Sequence, residues 1–283
     1  MHLRVLDESG QLADRPTYHG FGGQTEAMGT RRDLRAARQL LARIDERVVD
    51  EVRPWSGGSA FVTPSLPKVW DANYLRLDER NAAGADALAS EAAEIAADAG
   101  IDAATIVVED EDTARGVAPR LRDLGFDTTR LVLMSLRRTP APPETVVVEP
   151  GFDAVAASRR EIMLEAFPGD DELGDQLMEL DRRLQQTVGG RWFAVQEGGR
   201  VASRAWLRGD AGVGQVEDVA TAIAARGRGL ARAVVSAAAR ASVERGDELT
   251  FVIADADETT PELYRKLGFE AIGLTHRFVR RLR

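Results

Sequence analysis

Apolar and polar residues in the second half of the chain follow the periods of short strands and amphipathic helices. Apolar runs predict strands over 146–148, 191–195, 201–207, 213–220 and 249–254. Helical spacing of apolar or small side chains predicts helices over 153–167, 173–188, 228–245 and 260–267. The pair Gly198-Gly199 indicates a hairpin, and the residues from 269 onward are predicted to form a terminal hairpin. This order predicts an α/β (α+β) fold with a mixed, mostly antiparallel twisted sheet flanked by helices.

A shorter version of the same order recurs in the first half, with predicted strands over 74–77 and 104–108 and helices over 86–99 and 113–124. In each half a helix that follows an acidic strand end closes on the same three residues, Leu124-Gly125-Phe126 and Leu267-Gly268-Phe269, 143 positions apart. The repeat predicts two tandem copies of one fold. A chance match of three residues, with an independent N-terminal fold, is the alternative.

The prolines at 140, 142 and 143 predict the boundary between these copies, because they remove backbone donors and hold the chain extended. The predicted domains are therefore 31–140 and 145–283. Residues 1–30 have no clear period and are left as an unassigned N-terminal arm.

Composition narrows the classes of protein that fit. The chain has 283 residues, 44% of them hydrophobic and 29% charged, which is typical of globular domains. The net charge of −9 is spread evenly and predicts no nucleic-acid partner. The absence of cysteine excludes disulfides and a thiol nucleophile, and the three scattered histidines predict no metal site. Without a long apolar run, we expect a cytoplasmic protein with no membrane span; nothing indicates its oligomeric state.

The most informative segment is Arg226-Gly227-Arg228-Gly229, which lies between a predicted strand and a predicted helix. The first backbone N–H groups of a helix have no intrahelical partner, and the helix dipole adds partial positive charge. Glycine lets an anion approach that backbone, so the segment predicts a phosphate-binding loop. There is no Gly-Lys-Ser/Thr sequence, and Gly212-Val213-Gly214 precedes a strand instead of following one, which disfavours a nucleotide triphosphatase and a dinucleotide fold.

This segment resembles the acetyl-CoA loop of the GCN5-related N-acetyltransferases, Gln/Arg-x-x-Gly-x-Gly/Ala, with Arg226 first and Ala231 last. Downstream, residues 263–269 are similar to that family's Leu-Tyr-x-x-x-Gly-Phe segment. The first half has no such loop before its 86–99 helix, and Leu121 stands where the repeat would put Tyr264. The resemblance therefore implies a cofactor-binding second domain and a degenerate first copy.

The resemblance also implies roles for individual residues. Acetyl-CoA would be the co-substrate, and no metal would be needed. Tyr264 would be the general acid that returns a proton to the CoA thiolate, with a tyrosine facing the core as the alternative. Asp257 would also contact the cofactor; it stands where the family often has asparagine, cannot donate a hydrogen bond when ionised, and would weaken the binding of a polyanion. Contacts to acetyl-CoA would come from the strand and the loop, namely Val219, Ala220, Thr221, Arg226, Gly227, Arg228, Gly229, Leu230 and Ala231.

The general base is predicted from the strand that precedes the loop. Glu217 is the candidate, because an ammonium acceptor must lose a proton before it attacks a thioester; a solvated strand-end carboxylate is the alternative. Strand alternation predicts Glu217, Val219 and Thr221 on one face and Asp218 on the other.

An acidic connection between the first two helices of the second domain borders the region where this family commonly holds its acceptor. Its residues Asp170, Asp171 and Glu172 would attract a cationic amine, unless they only form a solvated loop. We therefore expect an N-acetyltransferase that acts on a primary amine of a small molecule by direct attack in a ternary complex. The alternative is a CoA-binding sensor or scaffold without turnover.

Overall fold

The computed structural model describes residues 24–77, 84–166 and 169–282. Seven helices lie in these ranges: α1 (Gln24–Val48), α2 (Ala85–Asp98), α3 (Glu111–Asp123), α4 (Phe152–Ala166), α5 (Asp171–Thr187), α6 (Leu230–Arg245) and α7 (Thr260–Lys266). The ten strands described are β1 (Glu51–Trp55), β2 (Gly58–Val62), β3 (Tyr74–Leu77), β4 (Ala103–Val108), β5 (Asp127–Leu136), β6 (Arg191–Glu197), β7 (Arg200–Asp210), β8 (Val213–Thr221), β9 (Leu249–Asp255) and β10 (Phe269–Arg281). The structure confirms the predicted α/β class with mixed, mostly antiparallel strands.

The chain packs into two compact units. The C-terminal unit comprises, among the described residues, Leu133–Asp171, Val188–Ile272 and Gln24–Leu40. The N-terminal unit comprises Leu41–Val132, Glu172–Thr187 and Gly273–Arg283. The unit limits fall inside α1, β5 and β10 and at the two ends of α5, away from the prolines, and the domain limits 31–140 and 145–283 stay a prediction. Of the predicted arm, residues 1–23 lie outside the described residues and 24–30 begin α1.

The C-terminal unit has the strand order β5-β9-β8-β7-β6. Strands β6, β7 and β8 pair antiparallel, and β9 pairs parallel with β8 after the crossover through α6. The predicted hairpin between β6 and β7 is confirmed, since Gly198 and Gly199 both have positive φ, 56° and 79°, as a two-residue turn of this hand requires. Helix α6 packs on β6, β7 and β8, and its buried alanines allow a close approach to the sheet.

Two predicted elements differ from the structure. The strand expected over 146–148 is reduced to one bridge between Val148 and Ala194; Val146 is 79% exposed, so this apolar run is not buried as a core strand would be. The terminal hairpin expected from residue 269 is wrong: residues 269–281 form the single strand β10. No residue within β10 has the positive φ that a tight hairpin turn needs.

The N-terminal unit has the strand order β1-β2-β3-β4-β10. Its first three strands pair antiparallel, β4 pairs parallel with β3, and β10 from the end of the chain pairs antiparallel with β4. Helices α2 and α3 pack against each other and on β4, over a core that includes Leu88, Ile106, Leu121, Phe126 and Phe278. The unit thus has the same succession of antiparallel strands, parallel strand and helix as the C-terminal unit. In the part of the chain that the structure describes, no helix has the length and apolar character needed to cross a membrane.

Candidate functional site

The two parallel strands of the C-terminal unit separate along their length. β8 and β9 pair only at their first residues, from Val213 with Leu249 to Gln215 with Phe251. Both strands continue beyond this pairing, β8 to Thr221 and β9 to Asp255. Beyond this pairing, the backbone N–H and C=O groups on the facing edges of β8 and β9 do not bond to each other. Such groups need another partner, which a ligand can supply. This opening leads toward the start of α6.

The corresponding strands of the N-terminal unit also pair in parallel. β3 and β4 pair from Leu75 with Ile106 to Leu77 with Val108, and Leu77 is the last residue of its described range. No gap opens between them within the described residues. The residues that follow β3, 78–83, lie outside the described part of the chain. That the first copy lacks a cofactor site stays a prediction.

A bulge interrupts β8 at Asp218. Trp206 lies opposite Glu217 and Arg204 opposite Ala220, so residues 218 and 219 together face only Ala205. Asp218 has a φ of 50°, a left-handed conformation that aspartate tolerates better than most residues.

The bulge changes which side chains of β8 share a face. Thr221 lies opposite Ser203, and Ser203 and Trp206 are on opposite faces because they are three residues apart in the regular strand β7. Glu217 and Thr221 therefore point to opposite faces, and the expectation that they share one is wrong. Alternation cannot anticipate an inserted residue.

Two arginines that the sequence analysis did not single out hold the bulge in place. The Asp218 carboxylate accepts a 2.7 Å hydrogen bond from Arg204 Nε and forms an ion pair with Arg159 of α4. Arg159 and Arg204 are almost fully buried. Burial raises the pKa of Asp218, but the two guanidinium groups outweigh it and hold the pKa below its ordinary value. The strained residue is thus fixed by buried charge pairs.

The glycine-arginine loop has the form expected of an anion site. Gly227 and Gly229 have positive φ values of 74° and 76°, and nothing lies within 4 Å of a Cβ placed on either. Gly229 precedes α6 and provides no side-chain cap, so the first N–H groups of the helix have no capping side chain. Arg226 Nε donates to the Thr221 carbonyl at 3.2 Å, and Arg228 forms an ion pair with Glu197 at 2.6 Å.

Tyr264 and Glu217 are both buried, at 3% and 7% exposure. Tyr264 lies on α7, which packs on β9, and its ring contacts Phe269 at 5.9 Å between centroids. Burial and the charge of Glu217 raise the pKa of the Tyr264 phenol well above its ordinary value, so the phenol is a proton donor at neutral pH. Glu217 accepts a 2.7 Å hydrogen bond from Gln215 Nε2 and is therefore not a solvated strand-end carboxylate.

The remaining predicted residues lie in less enclosed surroundings. Asp257 is half-buried after β9, and its backbone N–H donates to Asp255 Oδ1 at 3.0 Å. Asp171 and Glu172 are exposed at the start of α5, and Asp170 before them is half-buried. Glu172 forms a 2.9 Å ion pair with Lys68, which compensates part of the acidic charge. Their role in acceptor binding stays a prediction.

Comparisons with known proteins gave one match to a family model and several structural neighbours. Residues 195–279 match the FR47-like protein family. A functionally unknown conserved protein from Staphylococcus epidermidis is 10% identical with a TM-score of 0.60, over 83% of this chain and 95% of that one. A GCN5-related N-acetyltransferase from Kribbella flavida is 16% identical with a TM-score of 0.55, over 88% of this chain and 94% of that one. One from Sphaerobacter thermophilus is 19% identical with a TM-score of 0.50, over 68% of this chain and 65% of that one.

A sequence comparison with curated proteins gave no match. At these identities the structural neighbours show the fold, and the family match covers the loop and the Tyr264 segment. The fold and the site together define an α/β protein in which the parallel strands β8 and β9 separate near a glycine-containing loop. The chain shares the fold of the GCN5-related N-acetyltransferases from Kribbella flavida and Sphaerobacter thermophilus, and its residues 195–279 match the FR47-like protein family.

Proposed function

We propose that this protein is an acetyl-CoA-dependent N-acetyltransferase that acts on a primary amine of a small molecule by direct attack in a ternary complex. The observation that carries the proposal is the separation of β8 from β9, which leads to the loop at the start of α6. A buried carboxylate and a buried phenol, Glu217 and Tyr264, accompany this opening. Together they supply a binding edge, a base and an acid.

The residues present fit acetyl-CoA. The open space around Gly227 and Gly229 leaves the backbone N–H groups from 227 to 231 accessible to a pyrophosphate. Backbone groups of Val219, Ala220 and Thr221 lie on the part of β8 that is beyond its pairing with β9, where they would bind the pantetheine arm. When bound, acetyl-CoA supplies a thioester, whose carbonyl carbon is open to attack by an amine.

The two buried side chains divide the proton transfers. Glu217 would accept a proton from the substrate ammonium, which frees the nitrogen lone pair to form the C–N bond. Backbone N–H groups of β8 would stabilise negative charge on the carbonyl oxygen as that bond forms. Tyr264 would donate its proton to the sulfur as the C–S bond breaks, and the proton that the attacking nitrogen still carries restores the phenol. The products are an N-acetylated amine, free CoA and one released proton.

The acceptor is proposed to be a small cationic amine. Asp170 and Asp171 bring acidic charge to the connection between α4 and α5, and charge of this sign attracts ammonium groups. Glu172 contributes less, because Lys68 pairs with it.

Turnover and its dependence on Tyr264 test the proposal. Release of CoA thiol is measured with acetyl-CoA and a panel of polyamines, aminoglycosides and aryl alkyl amines, for wild-type protein and Tyr264→Phe. We expect turnover with at least one amine, and a kcat at least about 100-fold lower in Tyr264→Phe, the typical contribution of a general acid. Binding of acetyl-CoA should be unchanged in the variant. Binding by wild type without turnover of any amine would contradict the proposal and favour a CoA-binding sensor.

A further inference from the structure

Three buried polar side chains form a hydrogen-bonded chain that ends on Glu217. Arg208 Nε donates to Gln215 Oε1 at 3.0 Å, and Gln215 Nε2 donates to Glu217 Oε2 at 2.7 Å. Their residues are 8%, 1% and 7% exposed, in the order Arg208, Gln215 and Glu217. Nothing in the proposed chemistry requires Arg208 or Gln215, so their burial beside the base needs its own explanation.

The direction of this chain follows from the chemistry of its ends. A guanidinium group only donates hydrogen bonds, and an ionised carboxylate only accepts them. The amide of Gln215 therefore has one orientation that satisfies both neighbours, with its oxygen toward Arg208 and its nitrogen toward Glu217. A hydrogen bond to a charged carboxylate is stronger than one between neutral groups, and it favours the ionised form.

The far end of the chain is held in place by packing. The Arg208 guanidinium lies over the Trp206 ring, 5.1 Å from its centroid. Trp206 in turn stacks on Trp192, with centroids 4.9 Å apart. The strands contribute as well, because Arg208 lies opposite Gln215 in the β7–β8 register. Each member of the chain thus has a neighbour that limits its rotamers.

We infer that Gln215, backed by Arg208, is a positioning residue that orients the Glu217 carboxylate and keeps it ionised in the absence of substrate. The inference rests on the proposed function only for the use of that carboxylate as a base. Other buried titratable groups on the elements around β8, among the described residues, are Arg159, Arg204, Asp218, Asp255 and Tyr264. Arg159 and Arg204 are engaged with Asp218, the phenol is a neutral neighbour, and the Gln215 amide donates directly to Glu217.

The test reads the protonation of Glu217 without any substrate. Infrared difference spectra across a pH titration report the protonated carboxyl band, and Glu217→Gln identifies which band belongs to this residue. In Gln215→Met, which keeps the length of the side chain but has no donor, we expect the midpoint of that band to move up by about one pH unit or more, the effect of one hydrogen bond to a charged group. In Gln215→Glu the rise should be larger, because a second carboxylate would face Glu217.

Gln196→Met is the matched control, since Gln196 is an exposed glutamine on the neighbouring strand β6, and its midpoint should equal that of wild type. Thermal unfolding shows whether Gln215→Met folds. If it does not, Gln215→Glu, which keeps an acceptor for Arg208, serves as the second test. An unchanged midpoint in a folded Gln215 variant would overturn the inference. The acidic limb of kcat/KM is then measured with the best amine of the panel. If the infrared band of Glu217 shifts in a Gln215 variant but the acidic limb of kcat/KM does not, the positioning role of Gln215 is supported and the use of Glu217 as the base is contradicted.

Discussion

At the residue scale, the account depends on a few polar side chains that the fold buries beside a strand opening. Tyr264, Glu217 and the two loop glycines are visible in the sequence because they belong to local patterns of strand, loop and helix. Asp218, Arg159 and Arg204 are not, because their partners lie 14 and 59 positions away and meet only through a bulge or a tertiary contact. Gln215 lies two positions before Glu217, but its burial and its contact with Arg208 depend on the pairing of β7 with β8. A register shift between two strands depends on pairing across the sheet, which no periodicity along one strand reveals.

Asp218→Asn tests the buried charge cluster that fixes this bulge. The change leaves Arg159 and Arg204 buried without their counter-charge, and we expect a loss of about 3–5 kcal/mol in the free energy of unfolding near neutral pH. The lowered pKa of Asp218 means that its ionised form contributes stability above the ordinary aspartate range and loses it as the pH falls through the folded-state value. The difference between wild type and variant should therefore shrink on acidification.

Urea unfolding across a pH series measures this difference. Asp171→Asn, which removes an exposed aspartate at the start of α5, is the control and should change the unfolding free energy little at any pH. A difference for Asp218→Asn that stays constant down to acid pH would show that the charge pairs do not stabilise the fold.

At the element scale, the loop and helix α6 were predicted well, and the strands around them less so. The glycines and the alanine-rich helix are a local pattern, and α6 begins at Leu230 and ends before Gly246, which has a φ of 88° as a helix-terminating glycine should. The separation of β8 from β9 is not visible in either strand by itself, because both read as ordinary buried runs. The single strand β10 was mistaken for a hairpin for the same reason: apolar periodicity gives no information on where a chain turns unless turn residues are present.

Glu197, at the end of β6, forms an ion pair with Arg228 of the glycine-arginine loop, and this pair predicts a modest effect on CoA binding. Arg228 contacts Glu197 through both of its terminal nitrogens, so it must share or exchange that partner when an anion enters the loop. Removing the carboxylate in Glu197→Gln frees Arg228 and removes a repulsive charge. We expect a lower Kd for CoA by a factor below about five, because solvent-exposed ion pairs are weak, with a smaller gain at high salt.

Calorimetric titration of CoA at two salt concentrations measures this effect. Glu149→Gln is the matched control, because Glu149 forms an equivalent exposed pair with Arg191 at the other end of β6. A Kd for Glu197→Gln that equals that of Glu149→Gln would show that the pair does not compete with the ligand.

At the scale of the whole molecule, two units have a similar succession of elements, but the sequence features of a CoA loop occur in the C-terminal one. β8 and β9 separate after their third pair near this loop, and no Arg-x-x-Gly-x-Gly/Ala sequence precedes the first unit's helix α2. The account therefore predicts one acetyl-CoA site per chain, in the C-terminal unit, with the first copy of the repeat serving other purposes. The recurring Leu-Gly-Phe segment predicts a tandem order, and this stays a prediction. The passage of β10 into the N-terminal unit could not be predicted, since it depends on long-range strand pairing.

The most direct test of this claim is calorimetric titration of acetyl-CoA into wild-type protein, Gly229→Glu and Gly246→Glu. Both glycines have positive φ at the ends of α6 with open space around them, so the two substitutions impose similar backbone strain, but only Gly229→Glu puts a carboxylate beside the loop. We predict about one equivalent bound by wild type and by Gly246→Glu, and no measurable binding by Gly229→Glu, because the carboxylate repels the pyrophosphate and fills its approach. Two equivalents in wild type, or binding that survives in Gly229→Glu, would contradict the account.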